Sequence, residues 1–252
     1  MRFASLGSGS RGNALVVESG CTRILLDCGF GPRNFATRLA RIGLVPDDID
    51  AILVTHEHTD HIGGVAASAR RYDIDVYLTH GTLSVAVLDG VTVRVIDIHT
   101  RFALGDLEIQ PFPVPHDARE PAQFVFSDGG RRLGVLTDAG CVTPHMVEML
   151  SGCDALVLEC NHDAAMLADG RYPPHLKRRI AGRFGHLDNM AAADLLAQID
   201  KSRLRHVVAA HLSQENNKPV LATAALARVL GCKTDWIGVA DQDNGFDWRD
   251  IG

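Results

Sequence analysis

The sequence predicts a layered α/β protein with mixed β-sheets, and three observations lead to that fold class. Short apolar runs suited to strands are grouped in the first part of the 252 residues. The last third alternates such runs with segments of helical periodicity. Glycine and proline are spread along the chain, with no linker, charged block or repeat, so we expect a single domain over residues 1–252.

The first strand, residues 1–6, runs into a loop rich in glycine and serine at residues 7–13. The next two runs are joined near Ser19-Gly20 and predict a hairpin. The predicted strands after the first are residues 14–18, 22–27, 51–55, 76–79, 91–96, 107–114, 123–127, 133–137, 154–159 and 207–210. The predicted helices are residues 34–42, 62–72, 144–150, 164–167, 190–199 and 222–230.

Composition excludes several classes of protein. With 46% hydrophobic and 22% charged residues the chain is neither disordered nor fibrous. It has no apolar run of the ~20 residues that a membrane span requires, and no signal peptide is recognisable, so we expect a soluble, cytoplasmic protein. The net charge of −6 excludes a uniformly basic surface, although not a local basic patch. Six cysteines without a C-x-x-C pair predict buried apolar residues and no disulfide framework.

The strongest signal for function is an H-x-H-x-D-H arrangement directly after the apolar run at residues 51–55. In an extended chain His56 and His58 project to the same side, and Asp60 and His61 follow at the start of a helix. Imidazole and carboxylate ligands suit zinc, iron or manganese, and the absence of a nearby cysteine argues against a structural thiolate site. This segment therefore predicts a metal site.

Three further polar residues follow apolar strands in the same way: His116, Asp138 and His211. Each alone is more often a capping or core-edge residue than a ligand. Open α/β sheets, however, gather their ligands at the carboxyl ends of their strands. Together with residues 56–61, these three side chains predict a larger metal centre.

On these residues the chain resembles the metallo-β-lactamase superfamily over nearly its full length. The resemblance implies an αββα four-layer sandwich of two mixed β-sheets, with two divalent metal ions at its edge. It assigns His56, His58 and His116 to one ion, Asp60, His61 and His211 to the other, and Asp138 as the bridge. Asp27, in the sequence ILLD, is similar to an aspartate that supports the ligand loop without binding metal; a simple turn aspartate is the alternative.

Three segments, SGSRGN at residues 8–13, GHLDN at 185–189 and HLSQENN at 211–217, are similar to the YycJ (WalJ) group of this superfamily. So is LECNHD at residues 158–163. That group is associated with 5′→3′ DNA exonuclease activity. The β-CASP insertion of many related nucleases is expected to be absent, because the interval between Asp138 and His211 is too short for it.

His186 precedes a helix for which Asp188 is a suitable N-cap. The segment is similar to one in tRNA 3′-processing endonucleases, and the resemblance implies that His186 is the general acid; a solvent-facing loop histidine is the alternative. We count Asp60 as catalytic beside its ligand role. The expected substrate-binding residues are Ser10, Asn13, His162 and Asn189, with His162 either contacting phosphate or supporting the site.

The sequence therefore predicts a metal-dependent phosphodiester hydrolase, above all a 5′→3′ DNA exonuclease that uses a hydroxide activated by two metal ions. Zinc is expected first, with manganese or iron as alternatives. Two cations, two aspartates and a hydroxide leave a charge of about +1, which favours an anionic substrate. The basic residues expected to track phosphates are Arg11, Arg33, Lys177, Arg178, Arg179 and Arg183.

Three other functions stay open. A phosphodiesterase for small cyclic or nucleotide-like substrates would suit the acidic net charge. Hydrolysis of esters, thioesters or β-lactams is disfavoured by the His186 segment. A metal-stabilised binding module is disfavoured by the complete ligand set. No membrane partner is expected. The sequence does not indicate an oligomeric state.

Overall fold

The strands form two mixed sheets of seven strands each in the computed structural model, which describes all of residues 1–252. They are β1 (Arg2–Gly7), β2 (Ala14–Ser19), β3 (Thr22–Leu26), β4 (Ala51–Leu53), β5 (Asp75–Thr79), β6 (Val93–Ile96), β7 (Phe102–Leu104), β8 (Leu107–Pro113), β9 (Ala122–Ser127), β10 (Arg132–Leu136), β11 (Ala155–Glu159), β12 (His206–Ala210), β13 (Gly238–Val239) and β14 (Phe246–Asp250).

The helices connect these strands and cover the sheets. They are α1 (Pro32–Arg41), α2 (Thr59–Ile62), α3 (Val65–Tyr72), α4 (His80–Leu83), α5 (Pro144–Leu150), α6 (Ala164–Asp169), α7 (Pro174–Ile180), α8 (Asn189–Gln198) and α9 (Pro219–Leu230). Single 3₁₀ turns lie at Pro46–Asp48 and Thr234–Trp236.

The two sheets share one plan. The order in the first sheet is β14-β1-β2-β3-β4-β5-β6, and in the second it is β13-β12-β11-β10-β9-β8-β7. In the first sheet the strands from β3 to β6 are parallel and those from β14 to β3 are antiparallel. In the second, β10 to β13 are parallel and β7 to β10 are antiparallel. In each sheet, therefore, the carboxyl ends of the parallel strands lie beside one another.

Three buried clusters define four layers. One cluster lies between the sheets and includes Phe3, Phe124 and Phe126. A second joins the first sheet to α1 and α3, and a third joins the second sheet to α5, α8 and α9. Burial of this apolar surface from both faces of each sheet is the main stabilising contribution. The predicted αββα sandwich is confirmed.

Several elements differ from the sequence prediction. The helix expected at residues 62–72 is two helices, because Gly63 and Gly64 separate α2 from α3. A Cβ on Gly64 would overlap the carbonyl oxygen of Phe30, so only glycine fits there. The sequence prediction missed α4, α7 and the strands β7, β13 and β14.

The cysteines are all unpaired, but only three of the six are buried: Cys28, Cys153 and Cys160. Burial raises the pKa of the Cys28 and Cys153 thiols to about 11, so they remain protonated at neutral pH. The expectation that all six are buried was wrong, since Cys21 is exposed and Cys141 and Cys232 are half-buried. None of the helices is both long and apolar enough to cross a bilayer.

Candidate metal centre and active site

Titratable side chains from both sheets meet at one edge of the sandwich, where strands of each sheet end. They are Asp27 after β3, His56, His58, Asp60 and His61 after β4, His116 after β8, Asp138 after β10, Glu159 at the end of β11, and His211 after β12. His186 joins them from the segment before α8. The predicted ligand residues therefore lie together, as the rule for strand carboxyl ends requires.

Three imidazoles converge on one point. The Nδ1 atom of His58 lies 3.0 Å from Nε2 of His56 and 3.1 Å from Nε2 of His116. His116 Nδ1 lies 3.0 Å from the carbonyl oxygen of Gly185, a contact that only a protonated Nδ1 can make. His116 Nε2 is then unprotonated and free to bind a cation.

Thr55 fixes the tautomer of His56 in the same way. Its hydroxyl lies 2.9 Å from Oδ2 of Asp27 and donates its proton to that carboxylate. The hydroxyl can then only accept from Nδ1 of His56, at 3.0 Å. The proton of His56 is therefore held on Nδ1, and Nε2 faces the cluster. Burial lowers the pKa of His56 well below its ordinary value, and the charge of His61 adds to that effect.

A second group contains Asp60, His61 and His211. Asp60 Oδ2 lies 3.4 Å from Nε2 of His61 and 3.3 Å from Nε2 of His211. The Nδ2 atom of Asn13 donates to the same carboxylate oxygen at 3.2 Å. Burial disfavours the charged form of Asp60, but the two imidazoles outweigh it and hold the pKa well below the usual range.

Asp138 lies between the two groups. Its Oδ2 atom is 3.0 Å from Nε2 of His61, yet this buried oxygen has no hydrogen-bond partner. Burial would raise the pKa of Asp138, but His211 and His61 hold it well below its ordinary value. Here a buried carboxylate oxygen has no hydrogen-bond donor and lies beside an imidazole nitrogen. This arrangement is expected where the oxygen and the nitrogen both bind a metal ion.

Asp27 supports His61 and does not face the convergence point. Its Oδ2 atom lies 2.7 Å from Nδ1 of His61, and its Oδ1 atom accepts from the backbone N–H of Thr55 at 2.8 Å. Carboxylates commonly orient metal-binding histidines in this way. The contact leaves Nε2 of His61 turned toward Asp60 and Asp138.

Glu159 is the residue that the sequence analysis missed. Its fully buried carboxylate accepts from Nδ1 of His186 at 2.8 Å and lies 3.2 Å from Nδ1 of His211. Its other oxygen accepts from the backbone N–H groups of Ala139 and Leu187. Burial would raise the pKa of Glu159, but the two imidazoles bring it down to about 2. The signal was in the sequence, because Glu159 also ends an apolar strand.

His186 lies at the rim of the cluster, with 22% of its side chain exposed. Its Nδ1 donates to Glu159, so the Nε2 atom faces away from that carboxylate. Burial alone would lower the pKa of His186, but the carboxylates of Glu159 and Asp138 outweigh it and raise the pKa above its ordinary value. A protonated, accessible imidazole beside the cluster can donate a proton to a substrate.

The residues predicted to bind substrate occupy different places. Ser10 is exposed and lines a cavity of about 250 Å³ next to His186. Asn13 is buried and bonds to Gly9 and Asp60. Asn189 is buried, and its amide pairs with that of Asn217 in both directions at 2.9 Å. The geometry of Asn13 and Asn189 favours a supporting role instead of the predicted substrate contact.

His162 is likewise buried, and its Nδ1 atom has no hydrogen-bond partner. Among the predicted phosphate-tracking residues, Arg11 pairs with Asp243 and Arg179 pairs with Asp117 at 2.6 Å. Arg33, Lys177, Arg178 and Arg183 make no ion pair and are the cations left for a ligand.

The donor set fits divalent cations. Groups of three or four histidine and carboxylate atoms lie within 4.8 Å of one another at several overlapping positions. Several unprotonated imidazole nitrogens face each other here, and an oxygen of Asp138 has no hydrogen-bond partner. A cation placed between these atoms would attract all of them.

Comparison with known proteins gives the family. The model of the beta-lactamase superfamily domain matches residues 22–211. The chain belongs to the metallo-β-lactamase superfamily. It is 36% identical to the exodeoxyribonuclease YycJ of Bacillus anthracis, over 95% of this chain and 93% of that protein. It is 33% identical to the exodeoxyribonuclease WalJ of Streptococcus pneumoniae, over 94% of this chain and 91% of that one. The predicted resemblance to the superfamily and to the YycJ (WalJ) group is confirmed.

Solved structures agree on the fold. The metallo-beta-lactamase fold protein YhfI of Bacillus subtilis matches with a TM-score of 0.75 and 14% identity, over 98% of both chains. The short form of human tRNase Z matches with a TM-score of 0.67 and 19% identity, over the whole of both chains.

Proposed function

We propose that this protein is a metal-dependent phosphodiester hydrolase that digests DNA as a 5′→3′ exonuclease, in the cytoplasm. The observation that carries the proposal is the pairing of His186 with the buried Glu159 beside a histidine–aspartate cluster. This arrangement supplies a proton donor next to a cation site, which cleavage of a phosphodiester requires. DNA as the substrate is supported by the relatives named exodeoxyribonuclease. The direction of digestion follows from resemblance to the group.

Two divalent ions would be held by the predicted ligands, with zinc expected first and manganese or iron as alternatives. We assign His56, His58 and His116 to one ion, Asp60, His61 and His211 to the other, and Asp138 to both. When bound, such ions acidify water and neutralise charge on the phosphate. Asp27, Thr55 and Glu159 hold the imidazoles in the required tautomers.

The chain's own part in the reaction is proton delivery. Nδ1 of His186 is held by Glu159, so the proton on Nε2 is presented to the leaving oxygen of the substrate. Glu159 and Asp27 also revise the charge balance, because their two carboxylates change the expected +1 of the site to about −1. A protonated His186 offsets one of these two negative charges and brings the sum to about zero.

The decisive experiment is digestion of 5′- and 3′-labelled DNA by purified protein with Mn²⁺ or Zn²⁺, alongside His61→Ala. We expect metal-dependent release of nucleotides from the 5′ end, and loss of that activity in the variant. Release from the 3′ end contradicts the direction. No digestion with either metal refutes the exonuclease.

The same assay discriminates the alternative of a small cyclic or nucleotide-like substrate, which the net charge of −6 favours. Hydrolysis of a cyclic dinucleotide without digestion of DNA would support it. We also expect DNA digestion to fall steeply with added salt, because phosphate contacts release counterions. A flat salt response would argue against a polynucleotide.

A further inference from the structure

The cavity of about 250 Å³ beside His186 is bordered by five separate parts of the chain, among them Asp117 after β8 and Asn161 after β11. Tyr172, Leu176 and Ile180 contribute one side, from the segment that contains α7. Ser10 and Ser213 contribute hydroxyl groups from the loops after β1 and β12. The cavity thus combines an apolar side with polar groups, next to the proposed proton donor.

The helix α7 does not pack on the protein through a buried face. None of its residues is fully buried, and Leu176 and Ile180, which are four residues apart and share a face, are only half-buried. The helix is held instead by the ion pair of Arg179 with Asp117, at 2.6 Å, and by a bond from Nζ of Lys177 to the carbonyl oxygen of Ala168. Its apolar face therefore borders the cavity and lacks a partner of its own.

The charge of this segment indicates what covers that face. Residues 170–185 contain five cations and no aspartate or glutamate, in a chain whose net charge is −6. Arg178 and Arg183 make no ion pair and are exposed. Phe184 is 60% exposed in the same segment, and its carbonyl oxygen accepts from the N–H of Asp117. Unpaired cations beside an exposed aromatic ring, Phe184, and a half-buried one, Tyr172, suit a nucleic acid strand.

We propose that the cavity receives the 5′-terminal nucleoside of a DNA strand, with its base against Tyr172, Leu176 and Ile180. This inference rests on the proposed function, because it places the leaving group beside His186. In the cleavage step a hydroxide ion, formed when water gives up one proton to the solvent, bonds to phosphorus. The bond from phosphorus to the 3′ oxygen of the terminal nucleoside breaks, and that oxygen takes the proton from Nε2 of His186. The phosphate stays on the shortened strand as its new 5′ end.

This placement explains digestion from an end. The terminal nucleoside occupies a cavity formed by α7 and the loops on each side, and only a strand end can supply one. We therefore expect the protein to remove a single nucleotide in each cycle and to leave circular single-stranded DNA undigested.

The test compares two linear oligonucleotides that differ only in whether the 5′-terminal nucleotide carries a base. Because contact of a base with an aromatic side chain stabilises binding, we expect wild-type kcat/KM to fall about tenfold without the terminal base. In Tyr172→Ala and Leu176→Ala the two substrates should be cleaved at nearly equal rates. Tyr172→Phe should retain the wild-type ratio, and so should His175→Ala, which changes an exposed residue of the same helix.

One result would overturn the inference while the proposed function stands: digestion of both oligonucleotides at equal rates by the wild type, or an unchanged ratio in the alanine variants. Two other results would refute the exonuclease itself. These are cleavage of circular single-stranded DNA as fast as linear DNA, and failure of the wild type to digest any DNA. Metal content and circular dichroism establish that each variant is folded. The ratio of kcat/KM for the two oligonucleotides is measured within one protein, so it does not depend on how much of that protein is active.

Discussion

Three of the four non-glycine residues with positive φ belong to the site: Asp27 at 60°, Asp138 at 54° and His211 at 54°. The fourth, Asp73, ends α3. Side chains other than glycine pay for this conformation, so it persists only where surrounding contacts hold it. At the ends of β3, β10 and β12 it turns the chain sharply and directs a polar side chain to the cluster.

Asp27→Asn tests the support of His61. The amide removes the charged acceptor of the His61 Nδ1 proton, and we expect metal affinity to fall about 10- to 100-fold. Competition with a chelator measures it. Asp73→Asn is the matched control, because it makes the same exchange at positive φ away from the site and should leave the affinity unchanged. Equal affinities in the two variants would refute the role of Asp27.

Glu159→Gln tests the support of His186. We expect digestion of DNA to fall about 100-fold or more, because its leaving alkoxide needs a proton. Hydrolysis of bis(p-nitrophenyl) phosphate, whose leaving group is a weak base, should fall much less when metal is saturating, a condition that is needed because Glu159 also holds His211. His186→Ala should show the same pattern, and the double variant should be little worse than either single variant. Equal loss on both substrates would contradict proton delivery.

At this scale the ligands were predictable because each follows an apolar strand within a few residues, a pattern that is visible in one sequence. Glu159 follows the same rule and was missed because a single carboxylate there is also a common turn residue. The pairing of Asn189 with Asn217 was not predictable, since 28 residues separate the two and only the fold brings them together.

At the scale of elements, three loops interlock under the site. The N–H of Asn13 donates to the carbonyl oxygen of Asp60 at 2.7 Å, and the N–H of Gly29 donates to that of Asn13 at 3.0 Å. The N–H of Cys28 donates to the carbonyl oxygen of His61 at 2.8 Å. The loops at residues 7–13 and 27–31 thereby fix the backbone of the ligand segment.

Gly29→Ala should disturb this contact. Its Cβ would overlap the carbonyl oxygen of Asp60, so we expect a loss of about 2 kcal/mol or more of unfolding free energy, with weakened metal binding. Gly31→Ala is the control, because no atom lies within 4 Å of its Cβ and the change should stay within about 0.5 kcal/mol. Urea unfolding of both variants compares them. An unchanged unfolding free energy in Gly29→Ala would contradict this prediction, because it would show that the loops at residues 7–13 and 27–31 can move away from the ligand segment.

The strongly apolar strands were predictable from sequence, and the elements that were missed have weak local signals. β14 has the sequence FDWRD, in which three of the five residues are charged, and it becomes a strand because β1 offers it an edge. α7 begins at the second of two prolines and carries three consecutive cations, a composition that is more typical of a loop.

At the scale of the whole molecule, we propose that residues 1–252 unfold as one domain, since both sheets share the cluster that lies between them. Bound metal then stabilises the entire fold. Chelation should lower the melting temperature in a single calorimetric transition; a ligand at 100 times its Kd contributes about 2.7 kcal/mol. His211→Ala should reduce that metal-dependent shift. Two separate transitions, only one of them responsive to metal, would contradict the single domain.

The first imidazole group takes His56 and His58 from one sheet and His116 from the other. The distance between these nitrogens is therefore set by how far apart the sheets stand, and that spacing depends on side chains deep between them, such as Phe124. A cation tolerates errors of only a few tenths of an ångström in its donors. The affinity for metal therefore depends on the spacing of the two sheets. Substitutions in the core between the sheets should change that affinity, even at positions that never contact the ion.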